Sequence, residues 1–295
     1  MELRDIEIFL TLAEELHFGR TADRLHITAA RVSQSIKQQE RRIGGPLFER
    51  TTRSVRLTPL GRQLRDDLAP MFHGLQQSVE RAQQAASGTL GTLTLGTMGP
   101  QGWMIDQIVE LFQERHPNAR LVHRDINPVY PFDLLRSGEV DIALLWLPVR
   151  EPDLTVGPVT HTSPQALMLA ATHPYADRDS VCREDFGDLT FIAHSSSVPA
   201  YVEEVFQPFH TPSGRPVPRG PLVANFDDEL KAVSSGQAVL AVPAEAARFY
   251  PWPNLVSLPI RDAPPIRWAL VWRTAAETPI VQAFAQAATD HTADG

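Results

Sequence analysis

The sequence predicts an α/β protein in three parts. An all-α N-terminal domain with a hairpin wing spans 1–60, a connecting helix spans 58–88, and an α/β region spans 89–295. Three observations lead there. Basic residues crowd the first part, an apolar stripe at coiled-coil spacing fills the second, and short β-rich runs alternate with helical patterns in the third. A chain of 295 residues is also too long for one small core.

The charge is uneven. The net is -8, yet residues 18–65 hold eleven Arg or Lys against three acids, while 89–295 hold fourteen against twenty-four. A local excess of +8 on an acidic chain is the electrostatic footprint of a nucleic-acid-binding module. No stretch approaches the roughly eighteen apolar residues of a membrane span. The opening Met1-Glu2-Leu3-Arg4-Asp5 carries acids where a signal peptide needs a basic region. The expected location is the cytoplasm, with no membrane partner. Cys182 is the single cysteine, so an internal disulfide and a thiolate metal cage are both excluded, and no redox sensing is expected.

Leu3, Ile6, Phe9, Ala13 and Leu16 recur at helical spacing and predict a first helix. A shorter segment follows, with Phe18, Ala22 and Leu25 inward, then a break at His26-Ile27. Thr28 is suited to cap a third helix, in which Val32, Ile36 and Ile43 form a stripe. Its opposite face carries Ala30, Gln34, Lys37 and Arg41, with Arg31 and Gln38 at the edge. This is the helix-turn-helix arrangement, whose second helix meets base edges in the major groove. The run from Pro46 to Thr58 has two apolar ends and a polar tip, which predicts a hairpin. Arg50, Arg53 and Arg56 on that wing suit phosphates or a minor groove.

Thr58-Pro59 reads as an N-cap with proline in the first helical position. Leu64, Leu68, Met71, Leu75, Val79, Ala82 and Ala86 then alternate steps of three and four, which predicts a dimerisation helix. Pro70 in its interior predicts a kink near 66–70.

Beyond Ser87-Gly88 the expected strands are 92–96, 120–125, 140–145, 155–159, 166–170, 190–193, 222–225, 239–242, 256–259 and 268–272. Helices are expected at 105–115, 198–209, 227–235 and 279–289. Ten strands are too many for one small sheet, hence two subdomains, with a ligand at strand C-terminal ends between them. The candidate contacts are Thr97, Met98, Asn127 and Trp146 in the first, and Ser195, Ser196, Phe226 and Asp227 in the second. Hydroxyls at helix starts favour an anionic small molecule, and Thr97 and Ser195 are the leading candidates.

An enzyme finds no support in the motifs. Gly96-Thr97-Met98-Gly99-Pro100-Gln101-Gly102 fails as a dinucleotide loop, because Met98 stands where the second glycine must admit the pyrophosphate. There is no phosphate-loop lysine, no nucleophile elbow and no zinc-protease motif, and the ten histidines lack metal-ligand spacing. No cofactor is expected.

Ala22-Asp23-Arg24-Leu25-His26-Ile27-Thr28, Val32-Ser33-Gln34-Ser35-Ile36, Pro46-Leu47-Phe48-Glu49-Arg50 and Val55-Arg56-Leu57-Thr58-Pro59-Leu60-Gly61, taken in order, closely resemble the LysR-type transcriptional regulators. The resemblance implies DNA contacts from Arg31, Ser33, Gln34 and Lys37, and a wing contact from Arg53. It weakens at Ala29 and Ala30, where the family often has Gln and then Pro or Ser, and at Gln39, where it often has Leu; the operator is therefore not inherited from relatives. A looser resemblance continues through Gly91–Gly96, Leu134–Ala143 and Val233–Pro243. It implies an effector domain of type 2 periplasmic-binding-protein-like fold, with subdomain I at 91–160 plus 266–290 and subdomain II at 161–265. The partners implied are a double-stranded DNA operator, a small-molecule effector, further copies of the chain in a homodimer or homotetramer, and RNA polymerase.

Overall fold

The computed structural model describes residues 2–50, 55–87, 91–194, 198–249 and 252–294. It divides into two compact units, 1–87 and 88–295.

In the first unit, α1 (Leu3–Glu15), α2 (Phe18–Arg24) and α3 (Ala29–Ile43) pack around a core that includes Phe9, Leu12, Val32, Ile36 and Leu47. α1 is buried on every side from Ile8 to Ala13, while Leu3 and Leu16 of its expected stripe are exposed. The other two helices wrap it. Thr28 caps α3 by accepting a hydrogen bond from the Arg31 N–H at 3.2 Å, and Gly44 ends it in the left-handed region.

The expected α3 stripe needs one correction. Ile43 is exposed, and the buried positions are Val32, Ser35, Ile36 and Gln39. Gln39 takes the place of a core leucine because it has partners there. Its amide donates to the Asp5 carbonyl at 2.9 Å and to Ser35 Oγ at 3.2 Å, and Ser35 donates to the Asp5 carboxylate at 2.8 Å. Burial acts to raise the Asp5 carboxyl, but the Ser35 hydroxyl and the Glu2 N–H that donate to it hold it below its ordinary value.

The wing is an antiparallel pair, β1 (Phe48–Arg50) with β2 (Val55–Leu57). α4 (Pro59–Ser87) follows, capped by Thr58, whose hydroxyl accepts from the Gly61 N–H at 2.9 Å. The helix runs unbroken through Pro70. Its apolar stripe divides: Leu64, Leu68 and Phe72 pack on the unit's own core, whereas Met71, Leu75 and Val79 face outward.

The second unit begins with β3 (Thr92–Thr97), a 3-10 turn over Gly99–Ile105 and α5 (Asp106–Arg115), then β4 (Arg120–Asp125), α6 (Asp133–Ser137) and β5 (Ile142–Trp146). These βα crossovers force β3, β4 and β5 to run parallel. β6 (Leu154–Ser163) and β12 (Ile266–Arg273) complete the five-stranded sheet in the order β4-β3-β5-β12-β6. α10 (Pro279–Asp294) returns to pack on α5, where Phe112 and Phe284 meet edge to face at 5.2 Å.

β7 (Gln165–Ala170), buried throughout, is central to the second sheet, flanked antiparallel by β10 (Leu240–Pro243) and β11 (Leu255–Pro259). β8 (Phe191–His194) runs parallel to β9 (Arg219–Val223) and is tied to the same sheet by the Phe191–Val239 bridge. α7 (Ala200–Glu203), α8 (Phe226–Ser234) and α9 (Ala244–Phe249) complete this half.

The first crossing between the halves falls at Pro164 and not at 160, because β6 stays paired with β12 as far as Ser163 opposite Ile266. The last helix likewise extends the first half to 294. The helix expected at 198–209 shrinks to α7, followed by turns ahead of Pro208, whose ring disfavours helical backbone at Gln207. The strand expected at 222–225 stops at Val223, because Asn225 instead caps α8 by accepting from the Asp228 N–H at 3.0 Å.

Candidate functional site

The first unit presents a basic face on α3. Burial of Val32, Ile36 and Gln39 turns Arg31, Gln34, Lys37, Gln38 and Arg41 outward, and Ser33 is half-buried at the edge. The unit's ion pairs join Arg4 to Glu7, Arg20 and Arg24 to the end of α1, Arg50 to Glu40 and Arg65 to Asp66; Arg31, Lys37 and Arg41 belong to none of these. Arg50 therefore differs from the phosphate contact expected of it. Its guanidinium sits 2.7 Å from the Glu40 carboxylate and 5.2 Å above the Phe18 ring. Glu40 also accepts from the Leu47 and Phe48 N–H groups at 3.1 and 3.3 Å, which fastens the wing to α3. Arg53 lies outside the described residues.

In the second unit a cavity of about 120 Å³ opens between the two sheets. One wall comes from the first half: Met98 and Gln101 of the turn after β3, Trp146 at the end of β5, and Trp268 of β12. The facing wall comes from the second half: His194 at the end of β8, Glu203 of α7, Phe206 and Gln207, and Phe226 and Glu229 of α8. Hydrogen bonds across the halves set this geometry. Trp146 Nε1 donates to the Val202 carbonyl at 3.3 Å, the Tyr201 hydroxyl donates to Glu151, and Asn127 Nδ2 donates to the Ala224 carbonyl at 3.2 Å. The first two hold α7, and the third holds the entry to α8.

Of the residues expected to meet a ligand, Met98, Trp146 and Phe226 share this cavity. Thr97, buried at the end of β3, and Asp227, exposed on α8, are not part of the lining, and Asn127 instead bridges the two halves. Ser195 and Ser196 lie outside the described residues.

Sequence reasoning missed the polar groups of the wall. Glu229 is the plainest omission: Glu229, Leu230, Ala232 and Val233 form the buried face of α8, so a carboxylate sits among apolar residues. It accepts from or donates to His194 Nε2 at 3.0 Å, and burial pushes its carboxyl up against the lowering effect of that histidine. Glu203 stands 3.9 Å from both His194 Nδ1 and Arg219 Nη2, beyond hydrogen-bond reach. Gln101, 1% exposed, holds His161 Nε2 at 2.8 Å through Oε1 and leaves Nε2 unpartnered. Gln207, 2% exposed, donates to the Ala241 carbonyl at 3.4 Å and leaves Oε1 unpartnered. His161 stacks on Trp268 at 6.0 Å, and burial lowers its pKa to about 4, which keeps it neutral. The described lining carries three carboxylates, Asp125, Glu203 and Glu229, and neither lysine nor arginine.

No helix among the described residues is long and apolar enough to cross a membrane. Residues 3–62 match the model of the bacterial regulatory helix-turn-helix protein, lysR family, and residues 86–293 match that of the LysR substrate binding domain. The transcriptional regulator AlsR of Bacillus subtilis is 28% identical over 289 residues, 96% of this chain and 94% of its own length. TfdT of Cupriavidus pinatubonensis is 32% identical over 214 residues, 71% of this chain and 92% of its own. Among solved structures, the LysR family regulator CbnR superposes with a TM-score of 0.68 at 19% identity, covering 98% of this chain and 99% of that one. CbnR complexed with its target DNA gives 0.65, with the same coverage and identity.

Proposed function

The chain belongs to the LysR family of transcriptional regulators, DNA-binding proteins with an effector-binding domain and not enzymes, and from that premise we propose how its parts divide the work. The α3 face carries DNA recognition: Arg31 and Gln34 read base edges, while Ser33 and Lys37, with Arg53 of the wing, hold phosphates. The observation that carries this is the single exposed face of α3, which gathers Arg31, Gln34 and Lys37 apart from the unit's ion pairs. Ala29 and Ala30 at the start of α3 offer no side-chain hydrogen bond to a base, so the operator is read chiefly from Arg31 onward.

The effector is a small molecule held in the cavity between the halves, where Met98, Trp146 and Phe226 form part of its apolar wall. Contact with both halves lets a ligand favour one relative orientation over another, and only that difference in affinity can alter DNA binding. The outward Met71, Leu75 and Val79 of α4 join two copies into a dimer, itself able to pair into a tetramer. A dimer reads two half-sites, which a single helix-turn-helix cannot do. At the promoter, RNA polymerase is the partner through which binding changes transcription.

The test is gel retardation on the chain's own promoter region across a salt series. Lys37→Ala and Arg53→Ala should each weaken binding on every sequence and flatten the salt slope by about one. Gln34→Ala should cost about 1–3 kcal/mol and relax the preference at one base pair. Unchanged affinity and slope in the first two variants would reject this placement.

A further inference from the structure

Resting on the reading of the cavity as the effector site, we propose that its ligand is a compact organic cation, an ammonium group on an apolar body of about one ring. The size follows from the volume. An apolar protein cavity of roughly 150 Å³ accepts benzene, and this one is about 120 Å³ before it opens to solvent.

The charge follows from the wall. Asp125, Glu203 and Glu229 line it, and His194 is the basic group facing them. Glu229 is held by His194 Nε2 at 3.0 Å, and Glu203 and Asp125 add two further carboxylates to the lining. Arg219 lies 3.9 Å from Glu203 but is not part of the lining, and its Nη2 donates to the Gln207 carbonyl. A half-buried carboxylate beyond hydrogen-bond reach of its nearest basic groups is costly, and a ligand ammonium is the group that relieves it.

The aromatic rings agree with the carboxylates. Trp146, Trp268, Phe206 and Phe226 surround the cavity, with Trp146 edge to face against both Phe206 at 5.3 Å and Trp268 at 5.9 Å. Ring faces attract a desolvated cation and hold the apolar body at the same time. Two buried amides supply the independent sign of a ligand. Gln207 Oε1 is an unpartnered acceptor suited to an ammonium hydrogen, and Gln101 Nε2 an unpartnered donor suited to a ligand oxygen. Gln101 and Gln207 stand on opposite walls of the cavity, so each open amide atom is placed to take a partner that arrives with the ligand.

The experiment is calorimetric titration of the full chain with benzylammonium, benzyl alcohol and benzoate, three probes sharing one ring and differing in charge. Benzylammonium should bind at least about tenfold more tightly than the alcohol, and benzoate should bind weakest. Glu203→Gln should bring benzylammonium down to the level of the alcohol, a loss of about tenfold or more. Glu229→Gln should do the same, and if it fails to fold, Glu203→Gln decides alone. Benzoate binding as well as benzylammonium, with that binding lost in Phe226→Ala, would overturn the cation while keeping the cavity as the site. Binding unaffected by both Phe226→Ala and Trp146→Ala would overturn the cavity and the cation together. Failure of all three probes at millimolar concentration would overturn the cation, while gel retardation of the same sample reports separately on the DNA-binding reading.

Discussion

Glu40 joins the recognition helix to the wing, and its removal has a calculable cost. One carboxylate oxygen accepts from the Leu47 and Phe48 N–H groups, and the other meets Arg50 at 2.7 Å. Leu47 and Phe48 are buried, so Glu40→Ala leaves two donors without partners. At about 1–3 kcal/mol for each buried orphan donor the loss is about 2–6 kcal/mol. The partly exposed Arg50 pair adds about 1 kcal/mol at most. Against the roughly 5–15 kcal/mol that holds a typical domain together, this is a large fraction. Glu40→Gln keeps an acceptor oxygen for both N–H groups and loses only the charge, so it should cost about 1 kcal/mol. Hydrogen exchange of peptides from residues 3–62 across a urea series measures the difference within this unit. Freed from Glu40, Arg50 should also add to the non-specific electrostatic term in DNA binding, so the salt slope should steepen even as affinity for the operator falls. Equal stability of Glu40→Ala and the parent chain would refute the role assigned to this carboxylate.

Gly61→Ala should disrupt the same unit, since a Cβ there would lie 2.1 Å from the Leu47 carbonyl oxygen; a melting temperature unchanged by the substitution would contradict that packing. The stability of the second unit should depend on His161 in mild acid. Its pKa falls from 6.5 to about 4 on folding, so the unfolded chain binds the extra proton first, and stability is lost as pH drops from 6.5 toward 4. His161→Gln should flatten that part of the pH–stability curve measured by chemical denaturation. Leu75→Glu combined with Val79→Glu should shift the chain from dimer to monomer in light scattering, because both side chains face outward from α4; a persistent dimer would place the interface elsewhere. Cys182→Ser should leave any response to peroxide unchanged, since the chain has no second cysteine and this thiol already donates to the Asp185 carboxylate at 3.2 Å.

The N-terminal unit was legible from sequence because its signals are local. Thr28 and Thr58 cap α3 and α4 where short-range capping rules put them, and the periodicity of Val32 and Ile36 settles which face of α3 turns outward. The order of strands and helices beyond 91 was legible for the same reason, since each depends on a few consecutive residues. Gln39 and Ile43 mark where that logic ends. Gln39 is buried where the stripe pointed to Ile43, because Asp5, distant in sequence, and Ser35, a turn away, offer it hydrogen bonds. The cavity lies wholly beyond local rules. His194, Glu203 and Glu229 come from three separate elements, and no spacing in the chain relates them to Gln101, Trp146 or Trp268. A single helix start after Thr97 or Ser195 suggests an anion, because its N–H groups are all that one strand end can show. Only the tertiary fold brings those carboxylates and rings around one space.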